Sequence, residues 1–229
     1  MVDSIKNIIR NRILNNKPFL LLILFVIFWI PVIFFFKMAG DIIEKTPITG
    51  DLPILYFVHS FATPLLDKIF IFITTLGNVE IILPISLTIL AYFLYKRQRR
   101  NALLLFAGVG GASVANFILK ILFQRNRPNF WNLLITETDY SFPSGHAMIS
   151  CALVLCLILI LWKTRYRWPS IIGGALFVGL VGLSRVYLGV HYPTDIAAGW
   201  CVSLIWVSIV FVAIKRFRYK DKRVNRIKT

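Results

Sequence analysis

Acidic residues are scarce in this chain: ten Asp and Glu stand against 26 Lys and Arg over 229 residues. Histidine and cysteine are scarcer still, with three of each. Cys151, Cys156 and Cys201 all sit within apolar runs and read as small buried hydrophobes, so neither a disulfide framework nor a metal site is expected. Long polar stretches are missing too. With 16% charged and 58% hydrophobic residues, the composition excludes a water-soluble or disordered protein and points to an integral membrane protein of one domain, residues 1–229. No internal repeat, nucleotide-binding loop or low-complexity linker is present. The net charge of +16 does not signal a nucleic-acid partner, because the cations cluster in the links between apolar runs.

Those runs are roughly Phe19 to Phe36, Leu76 to Tyr95, Ala102 to Phe123, Ala147 to Trp162, Ile171 to Ser184 and Ile196 to Ile214. They predict an all-α bundle of six transmembrane helices. The first run exceeds a signal-peptide core and no A-x-A-like site follows it, so it reads as a retained span. Pro31 is expected to kink it. The stretch from Pro53 to Thr75 is apolar but interrupted by His59, Thr63-Pro64 and Asp67-Lys68. It reads as part of an extracytoplasmic interfacial connector, about residues 40–75, with His59 a hydrogen-bonded connector residue.

Charge orients this bundle. Residues 1–18 carry four Lys/Arg, Lys96 to Arg100 four, Lys163 to Arg167 three, and the tail from Lys215 eight, so 19 of 26 cations fall on one side. That side is expected to be cytoplasmic and to hold both termini, in a plasma-membrane protein whose basic tail rests on anionic headgroups.

Three polar strings stand out: Lys120-x6-Arg127-Pro128, Pro143-Ser144-Gly145-His146, and Ser184-Arg185-x5-His191-x3-Asp195. With six spans, all three fall on the extracytoplasmic face. Their chemistry is that of a phosphate site. A phosphoryl group in its transition state spreads charge over three equatorial oxygens that need fixed donors. Lys120, Arg127 and Arg185 supply cations, two of them with the planar fork that matches phosphate oxygens. Ser144 and Gly145 precede an apolar run and read as a helix start whose free N–H groups face the same anion. His191 and Asp195, four apart, share one face of a helical turn, about 5 to 6 Å between Cβ atoms. A carboxylate on one ring nitrogen makes the other a better nucleophile, so His191 reads as the attacking group. His146 is left as general acid and base, which predicts a bell-shaped pH profile. The three cations less Asp195 leave a surplus of two positive charges, equal to the charge of a phosphate dianion.

On these strings the chain resembles the type 2 phosphatidic acid phosphatase superfamily, whose signature is KxxxxxxRP, PSGH and SRxxxxxHxxxD. All three are present unsubstituted and in order, and the resemblance covers the chain from about Leu76 onward. It implies a metal-independent, cofactor-free membrane phosphatase acting through phosphohistidine. Catalysis would fall to His191, His146 and Asp195; phosphate binding to Lys120, Arg127, Ser144, Gly145 and Arg185. Ser184 matches the pattern without an assigned step. The expected partner is a lipid phosphate or diphosphate among the membrane lipids. Within the family, the bacterial phosphatidylglycerophosphate phosphatase B type and the undecaprenyl-diphosphate phosphatases are the nearest in character. A broad phosphatidic acid phosphatase, a non-catalytic lipid-phosphate binder or transporter, and a vanadate haloperoxidase are the alternatives the motifs leave open.

Arg125, at an unspecified position inside the first string, reads as an interfacial cation. Phe130, Trp131, Tyr140 and Phe142 read as an interfacial aromatic belt. The glycines of the third and fifth runs read as close-packing positions.

Overall fold

The computed structural model describes residues 17–227. It is all helical, without a strand among the described residues. The helices are α1 (Lys17–Ile43), α2 (Asp51–His59), α3 (Pro64–Leu76), α4 (Val79–Tyr95), α5 (Arg99–Phe123), α6 (Gly145–Leu161), α7 (Arg167–Tyr187) and α8 (Pro193–Ile227). Lys6, Arg10, Arg12 and Lys228 lie outside the described residues, as do the side chains from Phe217 onward.

Among the described residues four stretches are long and apolar enough to cross a membrane: Pro64–Tyr95, Arg99–Phe123, Arg167–Tyr187 and Pro193–Arg216. The first joins α3 to α4 across a step at Gly77 and Asn78. That step falls inside the run expected to begin at Leu76. Of the breaks expected in the connector, only residues 60–63 interrupt the helix; Asp67 and Lys68 are helical, with Asp67 in the first turn of α3, where an acid suits the helix dipole. Thr63 caps α3, its hydroxyl accepting from Leu66 N at 3.3 Å, and Pro64 takes the first position, where a missing N–H costs nothing.

α6 is the centre of the bundle. It is apolar on every side, as a membrane span or a core helix is, and its central place is shown by burial: Ala147, Met148, Ala152 and Cys156 are all fully buried against α5, α7 and α8. Small residues set the spacing. A Cβ on Gly199 of α8 would lie 2.9 Å from the Ser144 carbonyl oxygen, so the two helix starts touch there through backbone. Gly111 and Gly182 seat the rings of Trp206 and Trp200, whereas Gly110, Gly173 and Gly179 face open space. Close packing therefore accounts for only some of the glycines. Within α5 a π-helical segment, Phe106–Gly110, widens the turn, and the Trp206 indole donates to the Ala107 carbonyl at 2.9 Å.

Pro31 lies inside an unbroken α1. Phe142 leaves the expected aromatic belt: it is fully buried, stacked on Phe35 and edge-on to Phe123. An aromatic ring two residues before the helix start anchors the loop in the core rather than at an interface.

Candidate active site

The three polar strings end up around one cavity. Lys120 is in the last turn of α5, Arg127 in the following loop, Ser144 caps α6, and Gly145 and His146 open it. Arg185 is in the last turn of α7, His191 in the short α7–α8 link, and Asp195 in the first turn of α8. The cavity, about 390 Å³, is lined by Lys120, Arg127, Gly145, His146 and His191 among others. Ser144, Arg185 and Asp195 do not line it, but each contacts a residue that does or its neighbour: Asp195 meets His191, Arg185 pairs with Glu137, and Ser144 caps the helix that Gly145 opens. Ser144 Oγ is turned to its capping role, accepting from Ala147 N at 3.5 Å, and its own N–H donates to the Asp195 carbonyl at 3.1 Å. That backbone bond ties the second motif to the third.

His191 is 1% exposed. Its Nδ1 faces Asp195 Oδ2 at 3.2 Å, and its Nε2 lies 2.9 Å from Arg127 Nη1 on the cavity side. An arginine N–H can only donate, so Nε2 accepts and the ring proton belongs on Nδ1, shared with Asp195. Burial, and then the positive charges of Arg127, Arg185 and Lys120, hold the imidazole well below its ordinary pKa. His146 Nε2 sits 2.6 Å from Asn78 Oδ1, an acceptor, which keeps a proton on that nitrogen.

Two carboxylates that the sequence reading left out occupy the cation cage. Asp139 pairs with both Lys120 and Arg127, and Glu137 pairs with Arg185 and lies 3.8 Å from Arg127. The surplus of two positive charges is thereby cancelled by the loop itself. Burial favours the neutral acid at Asp139, but the Lys120 and Arg127 contacts outweigh it and hold its carboxyl below the ordinary value. Neither residue belongs to a motif; the only signal was the presence of two of the chain's ten acids between the first and second strings.

Arg125 is the other correction. It is no interfacial cation: it donates to Asp195 Oδ1 and to Asp51 Oδ2, each at 2.6 Å, and to Thr194 Oγ1 at 2.9 Å. His59 also departs from expectation, since it stacks on Trp131 at 3.7 Å and its buried Nδ1 has no partner. Ser184 Oγ donates to the Val181 carbonyl at 2.6 Å, one turn back on its own helix.

Comparison with known proteins places this geometry. A model of the PAP2 superfamily matches residues 101–219. Phosphatidylglycerophosphatase B of Bacillus subtilis is 32% identical over 200 residues, 85% of this chain and 96% of that protein. An undecaprenyl-diphosphatase of Sulfolobus acidocaldarius is 34% identical over 155 residues, 66% of this chain and 71% of that protein. Among solved structures, the transmembrane PAP2-type phosphatidylglycerolphosphate phosphatase of Bacillus subtilis superposes with a TM-score of 0.71 at 30% identity, covering 83% of this chain and 94% of that one.

Proposed function

The chain belongs to the PAP2 superfamily and is an integral membrane protein, and from that premise we propose that it hydrolyses the terminal phosphate of a lipid phosphate or diphosphate through a phosphohistidine, without a metal. Phosphatidylglycerophosphate and undecaprenyl diphosphate are the substrates the relatives' names bring forward.

One observation carries this reading: His191 gives Nδ1 to Asp195 and opens Nε2 to a cavity that Lys120 and Arg127 share. Arg127 Nη1 passes from Nε2 to a phosphate oxygen, the freed Nε2 lone pair attacks phosphorus, the bond to the lipid oxygen breaks, and that oxygen takes a proton from His146. A water then attacks the phosphohistidine while His146 takes its proton, releasing inorganic phosphate and restoring His191. Lys120, Arg127 and Arg185 carry the charge of the equatorial oxygens, together with the N–H groups of Gly145 and His146 in the first turn of α6, the Ser144 N–H being held by the Asp195 carbonyl. Glu137 and Asp139 leave those cations when phosphate arrives. Asp195 stabilises the positive charge that the phosphorylated imidazole acquires.

In this reading α1, α4, α5, α6, α7 and α8 are six spans of a single domain, both termini are cytoplasmic, and residues 40–75 cover the outward side around the site. The basic links support it. Arg100, Lys163 and Lys215, one from each of three basic clusters, line one cavity, and Arg100 and Lys120 are 20 residues apart on α5, about 30 Å of helix.

The test is phosphate release by detergent-solubilised protein over phosphatidylglycerophosphate, phosphatidic acid and undecaprenyl diphosphate, with chelator present. Activity on at least one lipid, abolished in His191→Ala, is expected. Loss on chelation contradicts the metal-free mechanism, and full activity without His191 contradicts the nucleophile.

A further inference from the structure

We infer that Arg125 and Asp51 are positioning residues, a buried clamp that holds the Asp195 carboxylate in the orientation from which it directs His191. The inference rests on the phosphohistidine reading and adds to it a pair of residues that no signature position marks, Arg125 being one of the unspecified positions between Lys120 and Arg127.

The carboxylate of Asp195 is wholly buried, and its two oxygens are divided between two tasks. Oδ2 accepts from Tyr192 N at 2.9 Å and faces His191 Nδ1 at 3.2 Å. Oδ1 accepts from Arg125 Nη1 at 2.6 Å. A carboxylate held through one oxygen alone can swing about its Cβ–Cγ bond; held through both, it presents a fixed lone pair to the imidazole. The Arg125 guanidinium is itself fixed. Its Nη2 donates to Asp51 Oδ2 at 2.6 Å, and the Tyr192 ring covers it at 4.0 Å.

Asp51 is 2% exposed and sits at the first position of α2, where it reaches across to the start of α8. Its Oδ1 accepts from Thr194 N at 3.0 Å and its Oδ2 from Thr194 Oγ1 at 2.7 Å. The connector between α1 and α4 thus delivers a carboxylate to the residue beside Asp195. A buried carboxylate without a counter-charge takes up a proton. Asp195 then could no longer be relied on to hold the Nδ1 proton, and the tautomer that frees Nε2 would be lost.

An arginine is required for the geometry. Its planar fork meets two carboxylates on different helices at once, which the single ammonium of lysine does not reproduce. Arg125 commits its guanidinium to Asp195, Asp51 and Thr194 and lies off the cavity wall, so the clamp acts on His191 through Asp195.

The experiment compares purified full-length wild type, His191→Ala, Arg125→Gln, Arg125→Lys, Asp51→Asn and the Asp51→Asn/Arg125→Gln double variant. It reads kcat on a lipid phosphate, the inhibition constant of inorganic phosphate, and the melting temperature. Arg125→Gln is expected to lower kcat roughly 10²-fold, the scale of a misplaced catalytic group, with the phosphate inhibition constant unchanged. Arg125→Lys should remain closer to Arg125→Gln than to wild type. Asp51→Asn should lower kcat less, and the double variant should be no worse than Arg125→Gln, the non-additivity of one shared path. If Arg125→Gln does not fold, the isosteric Asp51→Asn decides: folded and fully active, it overturns the proposal. Parallel loss of kcat, phosphate affinity and melting temperature would also overturn it, assigning the pair to the fold. An active wild type with a dead His191→Ala and an Arg125→Gln within about threefold of wild type would sink the clamp and spare the phosphatase reading. A wild type that releases no phosphate would sink both.

Discussion

Asp139 is ion-paired with Lys120 at the cavity that also opens onto His191 Nε2. The cations hold an internal anion, which under the proposed function a phosphate displaces. Asp139→Asn removes that competitor while leaving the cations in place. Its side chain is 54% exposed, so water screens the pair and the effect is modest. The inhibition constant of inorganic phosphate should fall about two- to fivefold, the equivalent of a partly exposed ion pair. A constant that stays put or rises would show that the carboxylate helps to hold phosphate.

Asn78 positions His146 through the 2.6 Å contact to Nε2. Asn78→Ala should lower kcat roughly 10- to 100-fold, within what a misdirected general acid costs, with phosphate affinity preserved. Initial rates and product inhibition on the same preparation separate the two. An unchanged kcat would remove Asn78 from the acid's support.

The pH dependence follows from the direction of the His191 shift. Burial and the Arg127, Arg185 and Lys120 charges lower its folded pKa well below 6.5, so the imidazole stays neutral through that value. Its contribution to stability is present above the unfolded pKa and is lost as pH falls through the folded one. Because kcat/KM reports the free enzyme, no acid limb from His191 should appear near 6.5. Substrate phosphate ionises at about 6, so profiles on two substrates of different phosphate pKa are needed. An acid limb near 6.5 that does not move with the substrate would contradict the shift.

Gly189 sits two residues before His191 with φ of +72°, and a Cβ there would meet the Trp131 ring at 2.6 Å. Gly189→Ala forces a left-handed backbone on an L side chain and pushes the indole aside. A loss of about 1 to 3 kcal/mol is expected from overpacking alone, read as a lower melting temperature with less active protein. A melting temperature equal to wild type would show that the link can rearrange.

The residues that gather at the cavity were easier to read from the sequence than the contacts that surround them. Lys120, Arg127, His146 and His191 were legible because polar side chains at fixed offsets are conspicuous in an apolar chain. Asp51, Asn78 and Arg125 were not, since each works through a partner 68 or more residues away in sequence and no local pattern marks such a pairing. Glu137 and Asp139 were hidden for another reason: two acids in a loop look solvated until the fold brings three cations to them. Helix type and approximate bounds followed from the apolar runs. The step at Gly77–Asn78 did not, because two residues and Glu80 are too short an interruption to end an apolar run that resumes at Ile81.

The most direct measurement is to trap the intermediate. The protein is mixed with a lipid phosphate carrying ³²P in its terminal phosphate, quenched with alkali, and digested for peptide mapping. An alkali-stable, acid-labile label on the peptide containing His191, absent in His191→Ala, is the result predicted. A His191→Ala protein that folds and still releases phosphate at the wild-type rate would contradict the account.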